Sequence, residues 1–229
     1  MQRFFVSAGA PEVIDGDEHK HLSRSLRMQA GEQVEVLDGK RVLLAEILSV
    51  EKAETYLRIL REMPSREAQM RVTLYVGLLK GEKLEWVVQK GTELGVHAIC
   101  VVPTVRSMFR DVKYERLERI AREAQKQCGR ARVASVYESM SIKAAIEDMR
   151  KHEAVFVAYE GGGESLPSAG DLRDVGLVIG PEGGFDEGEI GMLRKAGARV
   201  ITLGPRILRA ETAAIAALAA LMAGAGEWA

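Results

Sequence analysis

Two arginines, a glutamate and a threonine crowd one short segment, Leu203-Gly204-Pro205-Arg206-Ile207-Leu208-Arg209-Ala210-Glu211-Thr212, immediately before an apolar run. A loop that only joined two elements would have little use for that mixture. Guanidinium groups at Arg206 and Arg209 suit a phosphate, or an oxygen on which negative charge develops. Carboxylates at Glu211 and Glu182 suit acceptance of a proton, with helix capping or pairing to a nearby arginine as the alternative for both. Upstream, Gly180-Pro181-Glu182-Gly183-Gly184 follows the apolar strand 177–179. Gly183 and Gly184 leave no Cβ between backbone and ligand and permit positive φ, while Pro181 stiffens the entry. A third glycine loop, Glu160-Gly161-Gly162-Gly163, ends the strand 154–159. In open α/β sheets ligands sit outside the carboxyl ends of strands, so the three loops describe the floor of a pocket suited to a nucleoside. No GxxxxGK[ST] occurs and no GxGxxG opens a helix, which argues against P-loop and dinucleotide chemistry.

GPEGGF at 180–185 followed by LGPRILRAETA at 203–213 resembles the ribosomal RNA small-subunit methyltransferase E family, within the SPOUT class of trefoil-knotted methyltransferases. The resemblance extends to KGEKLEWVVQKGTELGV at 80–96, to Arg106-Ser107, to 127–130 and to Arg3-Phe4-Phe5, nearly the whole chain. It implies an α/β fold class, a C-terminal SPOUT trefoil-knot methyltransferase domain with an N-terminal PUA-like β-barrel that helps bind RNA. It also implies S-adenosyl-L-methionine as cofactor, without a metal. The cofactor would lie against Tyr159, Glu160, Gly161, Ile179, Gly180, Pro181, Glu182, Gly183, Gly184, Leu203, Gly204, Ile207, Leu208 and Thr212. The acceptor implied is N3 of a uridine in 16S ribosomal RNA, in an assembled small ribosomal subunit, and the state is a homodimer in which both protomers shape each pocket. Arg206 or Arg209 would steady the uridine as it loses its proton, and Glu182 or Glu211 would take that proton. Cys128 stands where the family has a serine in a QSGR-like pattern, which leaves Gln127 and Arg130 as the candidates there. Two other readings compete: a methyltransferase of this fold acting on another RNA, and a non-catalytic RNA-binding ribosome assembly factor. Intact loops at both turns weigh against the second.

The elements that must position these groups follow from periodicity. Residues 1–68 read as short strands (4–6, 32–37, 41–50, 55–60) with a hairpin turn at Asp38-Gly39, a small β-barrel. A helical piece at 19–28 turns Leu22 and Leu26 inward and carries Lys20, Arg24 and Arg27 outward. The polar stretch 64–69 marks the boundary, and residues 69–229 alternate strands and helices in the manner of a parallel sheet. Strand 72–79, helix 81–94 and strand 98–102 open it, Lys83 reading as ordinary surface charge. Residues 106–132 hold nine Lys/Arg against four Asp/Glu, a net +5 in a chain of formal charge -1. Helical spacing there turns Leu117, Ile120, Ala121 and Ala124 inward. An RNA-facing surface at Arg106, Arg116, Arg119, Arg122, Gln127 and Arg130, with Arg3, Lys20, Arg24 and Arg27 in the first domain, is expected.

Asp186 and Glu189 have capping-box spacing for the next helix, and Gly197 is its stop. Residues 212–226 carry no charge and are apolar all round, which predicts a helix buried on every side and the seat of the dimer. Cys100 and Cys128 show no metal or redox spacing and read as reduced thiols. Without an apolar leader or a run of about 20 apolar residues, a cytoplasmic protein is expected and no membrane partner.

Overall fold

Alternation in the first sixty residues becomes a five-stranded sheet in the computed structural model, which describes residues 1–107, 112–139, 141–167 and 170–228. The strands are β1 (Arg3–Phe5), β2 (Val13–Ile14), β3 (Gln33–Leu37), β4 (Val42–Val50) and β5 (Thr55–Glu62), in the order β1-β3-β4-β5-β2. Only β1 and β3 pair in parallel. Asp38 closes the β3–β4 turn by accepting from the amides of Lys40 and Arg41 at 2.8 and 2.7 Å. Register shifts at Leu44/Ala45 and Ile47/Ser49 bend β4, which curls the sheet around Phe4, Ile14, Leu22, Val36 and Ile47.

The single helix expected over 19–28 is replaced by a short α1 (Gly16–Lys20) and a π-helical turn, His21–Leu26. Leu22 is still buried, and the turn ends on Arg27 with a left-handed φ of 53°. His19 is buried against Thr55, its Nδ1 2.9 Å from the hydroxyl. By contacts the chain falls into two units, Met1–Glu67 with Arg122–Val133, and Ala68–Ala121 with Ala134–Ala229. Glu35 binds the second segment into the first unit: it accepts from Arg3 at 2.7 Å and Arg66 at 2.8 Å, while Arg3 also donates to the carbonyl oxygens of Lys126 and Gln127. Those carbonyls end a helix, where a cation offsets unpaired acceptors.

The larger unit contains β6 (Arg71–Gly77), α2 (Glu82–Glu93), β7 (Ala98–Val102), α3 (Tyr114–Cys128, whose last turns belong to the first unit), β8 (Ser135–Glu138), α4 (Ile142–Met149), β9 (Ala154–Ala158), β10 (Glu164–Ser165), β11 (Asp174–Ile179), α5 (Glu187–Lys195), β12 (Arg199–Thr202) and α6 (Ala210–Gly224). Its sheet runs β10-β12-β9-β11-β6-β7-β8, every pair parallel. Strands such as β6 and β7 are almost wholly buried because helices cover both faces, hence their continuous apolar sequence. Leu84, Val87, Leu117, Ala217, Leu218 and Leu221 of α2, α3 and α6 pack in one cluster; Ala145, Ile146, Ile190 and Leu193 of α4 and α5 pack in the other.

The capping box is formed, with the Glu189 amide donating to Asp186 at 2.7 Å and the Asp186 amide to Glu189 at 3.0 Å. Gly197, at φ +93°, follows the end of α5. The apolar last helix is covered on one side by its own chain. Within the chain α6 buries Ala214, Ala217, Leu218, Leu221 and Met222 but exposes Thr212, Ala216, Ala220 and Ala223, because α2, β6 and β11 cover one side only.

Candidate functional site

Strands β12, β9 and β11 are neighbours in the sheet and parallel, so the loops after them emerge side by side. They enclose a cleft of about 670 Å³. Tyr159 and Glu160 line it after β9; Ile179, Gly180, Pro181, Glu182, Gly183 and Gly184 after β11; Leu203, Gly204, Arg206, Ile207, Leu208 and Arg209 after β12. Of the expected residues, Gly161, Glu211 and Thr212 do not line it. Lys83, Ala158, Phe185, Thr202, Pro205, Ala210 and Ala213 do, without having been expected.

Steric fit explains why glycine recurs. A Cβ on Gly184 would stand 2.6 Å from Oε1 of Glu160, at a φ of +67° that side chains rarely adopt. Gly77, at the end of β6, has a similar role that the sequence did not announce: a Cβ there would lie 2.4 Å from the nitrogen of Pro181. The turn after β11 therefore rests backbone to backbone on β6. Gly161 acts on its own loop, since a Cβ would strike the Tyr159 ring at 2.3 Å.

Glu182 accepts from the Lys80 amide at 3.1 Å and from Lys83 Nζ at 3.0 Å. Burial works against its ionisation, yet these two donors outweigh that effect and hold its carboxyl below the ordinary carboxylate value. Lys83 is thus part of the site. The other carboxylate differs: Oε2 of Glu211 is buried with no hydrogen-bond partner among the described residues. Arg206 and Arg209 are exposed and form no ion pair among the described residues, so neither is held by Glu182 or Glu211. Arg209 is the N-cap of α6, its carbonyl accepting from the Ala213 amide at 2.8 Å. Ile207, between the two arginines, is 87% exposed.

The residues expected to meet RNA divide. Arg24, Arg27 and Arg119 are exposed, and Gln127 is too. Lys20 pairs with Asp17 and Arg116 with Glu85, each at 2.7 Å, and Arg122 lies over the Phe5 ring. Arg106 donates to the Gly183 carbonyl at 3.0 Å and so braces the rim of the cleft. Arg3 and Arg130 are engaged inside the first unit: Arg130 is 5% exposed and bound to Glu67 at 2.9 Å. Arg110, counted in the basic segment, lies outside the described residues. Among the described residues no His, Cys, Asp or Glu cluster is placed to hold a metal ion, and no helix is long and apolar enough to cross a membrane.

Residues 66–222 match a family model described as an RNA methyltransferase domain, and residues 14–60 one described as an RNA methyltransferase PUA domain. Among curated proteins, the chain is 33% identical to a ribosomal RNA small subunit methyltransferase E of Bacillus subtilis, over 96% of both chains. It is 30% identical to the Mycobacterium tuberculosis protein of that name, over 96% of this chain and 89% of the other. A crystal structure of such a methyltransferase from Neisseria gonorrhoeae, bound to S-adenosyl methionine, superposes with a TM-score of 0.85 at 29% identity over 97% of both chains. A putative methyltransferase from Legionella pneumophila, in complex with the same cofactor, matches equally, with a TM-score of 0.85 and 29% identity over 97% of both chains.

Proposed function

We propose, for a chain that belongs to the ribosomal RNA small subunit methyltransferase E family, that it transfers a methyl group from S-adenosyl-L-methionine to N3 of a uridine in 16S ribosomal RNA. The observation that carries this reading is the pairing of a glycine-walled cleft with two exposed arginines at its rim. The residues present fit the cofactor. A cleft of about 670 Å³ is within the usual range for a ligand of that size, and apolar Ile179, Leu203 and Leu208 with loop backbone suit a nucleoside. When bound, the cofactor supplies an electrophilic methyl group on a sulfonium.

The chain's own residues then have two tasks. The uridine imide must lose its N3 proton to become nucleophilic, and the resulting charge spreads onto its carbonyl oxygens. Arg209, or Arg206 beside it, steadies that charge. For the proton, Glu182 is a weak base because its donors already stabilise its anion, whereas Glu211, in the first turn of α6 next to the cleft-lining Ala210, has a carboxylate oxygen without a hydrogen-bond partner among the described residues. The loops also align the reactants and exclude water.

The remaining roles follow. Residues 1–68 serve as a PUA-like RNA-binding domain and 69–229 as the methyltransferase domain, with Arg24, Arg27 and Arg119 as exposed RNA contacts and the assembled small subunit as substrate. The working form is a homodimer in the cytoplasm. Its support is the uncharged outer face of α6, Thr212, Ala216, Ala220 and Ala223, which a second copy would cover. Methyl transfer to small-subunit RNA, with the product nucleoside identified, tests the activity, and naked RNA against intact subunits tests the form of the substrate.

A further inference from the structure

On the sheet face away from α2 and α6, helices α4 and α5 border a second cleft of about 390 Å³. Lys143, Ile146, Glu147 and Arg150 line one wall and Met192 and Lys195 the other. The spacing explains the arrangement: 143, 146, 147 and 150 fall on one stripe of α4 and its cap, and 192 and 195 on one stripe of α5. The cleft floor is apolar, with Ile146 only 7% exposed. Its rim is cationic. Glu147 is the one acid lining it and lies 3.5 Å from Arg150, which leaves Lys143 and Lys195 without an ion-pair partner among the described residues. Cations at the ends of α4 and α5 would be ordinary complements to the helix dipole, but Lys143 sits in the first turn of α4, where that dipole disfavours a positive charge.

We infer that this cleft binds the phosphate backbone of the RNA substrate, as an electrostatic contact apart from the reaction cleft. The inference rests on the proposed function, which supplies a polyanion as partner, and on charge: two unpaired ammonium groups across a groove are relieved by phosphates, which also release counterions. An acidic protein segment would satisfy the same charges, and the experiment separates the two.

The probe is purified small-subunit ribosomal RNA, titrated against wild type and Lys143→Gln/Lys195→Gln at several salt concentrations, with S-adenosylhomocysteine calorimetry to establish that the reaction cleft is intact. Loss of two phosphate contacts lowers the magnitude of the log–log salt slope by roughly 1.4 to 1.8 and weakens binding by about tenfold to a hundredfold at low salt. Lys143→Arg/Lys195→Arg keeps the wild-type slope. An unchanged slope and affinity with cofactor binding intact overturns the inference, as does binding of a poly-glutamate peptide that the Gln variant loses while its RNA slope stays the same. Methyl transfer by the wild type to the same RNA is scored separately. Its absence there and on intact small ribosomal subunits as well would count against the proposed function without deciding what the α4–α5 cleft binds.

Discussion

Lys83 donates to Glu182 at 3.0 Å across the rim of the reaction cleft, and the Lys80 amide donates to the same carboxylate oxygen at 3.1 Å. A carboxylate so held stays ionised and has little tendency to take up a proton. Glu182→Gln is therefore expected to leave the shape of the kcat profile unchanged at neutral and alkaline pH, measured in single turnovers. The stability effect has a definite sign. The folded pKa of Glu182 is lowered from 4.5, so its contribution is present above that value and is lost as pH falls through the folded pKa. The pair is about one-third exposed on both sides, so Lys83→Ala should cost under about 1 kcal/mol at neutral pH and nothing in strong acid, by urea titration.

Gly77 is expected to behave as a binding-site residue although it touches no cleft. A methyl group there collides with the backbone of Pro181 and must push the Gly180-Pro181 turn outward. Gly77→Ala should weaken S-adenosylhomocysteine binding by about tenfold or more, roughly 1.4 kcal/mol, in calorimetry. Wild-type affinity in a folded variant would mean that the turn does not shape the cofactor site.

Arg209 has no carboxylate partner among the described residues, so its loss should be felt in chemistry and not in loop structure. Arg209→Ala is expected to lower the single-turnover rate about a hundredfold, ~3 kcal/mol, with cofactor affinity nearly unchanged. A normal rate at saturating RNA and cofactor would assign the steadying role elsewhere, Arg206 first.

The last helix separates two outcomes that its sequence merges. Ala217 and Leu218 are at 0% exposure in the protomer's own core, so Ala217→Glu or Leu218→Glu buries a charge, costs several kcal/mol and yields unfolded or insoluble protein. Ala216→Glu and Ala220→Glu alter the outer face alone. Those variants should stay folded by circular dichroism and become monomers by light scattering; a monomeric wild type would remove the dimer from the account.

Much of this was legible in the residues. The capping box at Asp186 and Glu189, the Gly197 stop and the buried parallel strands are local patterns with one cheap solution each. The three loops were legible as walls of one cleft because each follows a strand of what read as a parallel sheet. What stayed hidden depends on partners distant in sequence. Lys83 looked like surface charge because Glu182 is 99 residues away, and Gly77 fell inside the strand read over 72–79 because Pro181 was unseen. The basic run did not reveal that Glu67 pairs with its member Arg130, nor did the opening residues reveal that Glu35 pairs with Arg3. The π-helical turn at His21–Leu26 has no sequence period distinct enough from an α-helix to be read.

The central claim is tested most directly by the product. Purified protein is incubated with labelled S-adenosyl-L-methionine and small ribosomal subunits from cells lacking this enzyme, and the RNA is digested to nucleosides. The account predicts label in N3-methyluridine and none when Arg206 and Arg209 are both replaced by alanine. Label in any other nucleoside, or none from a wild-type protein that binds cofactor, would contradict it.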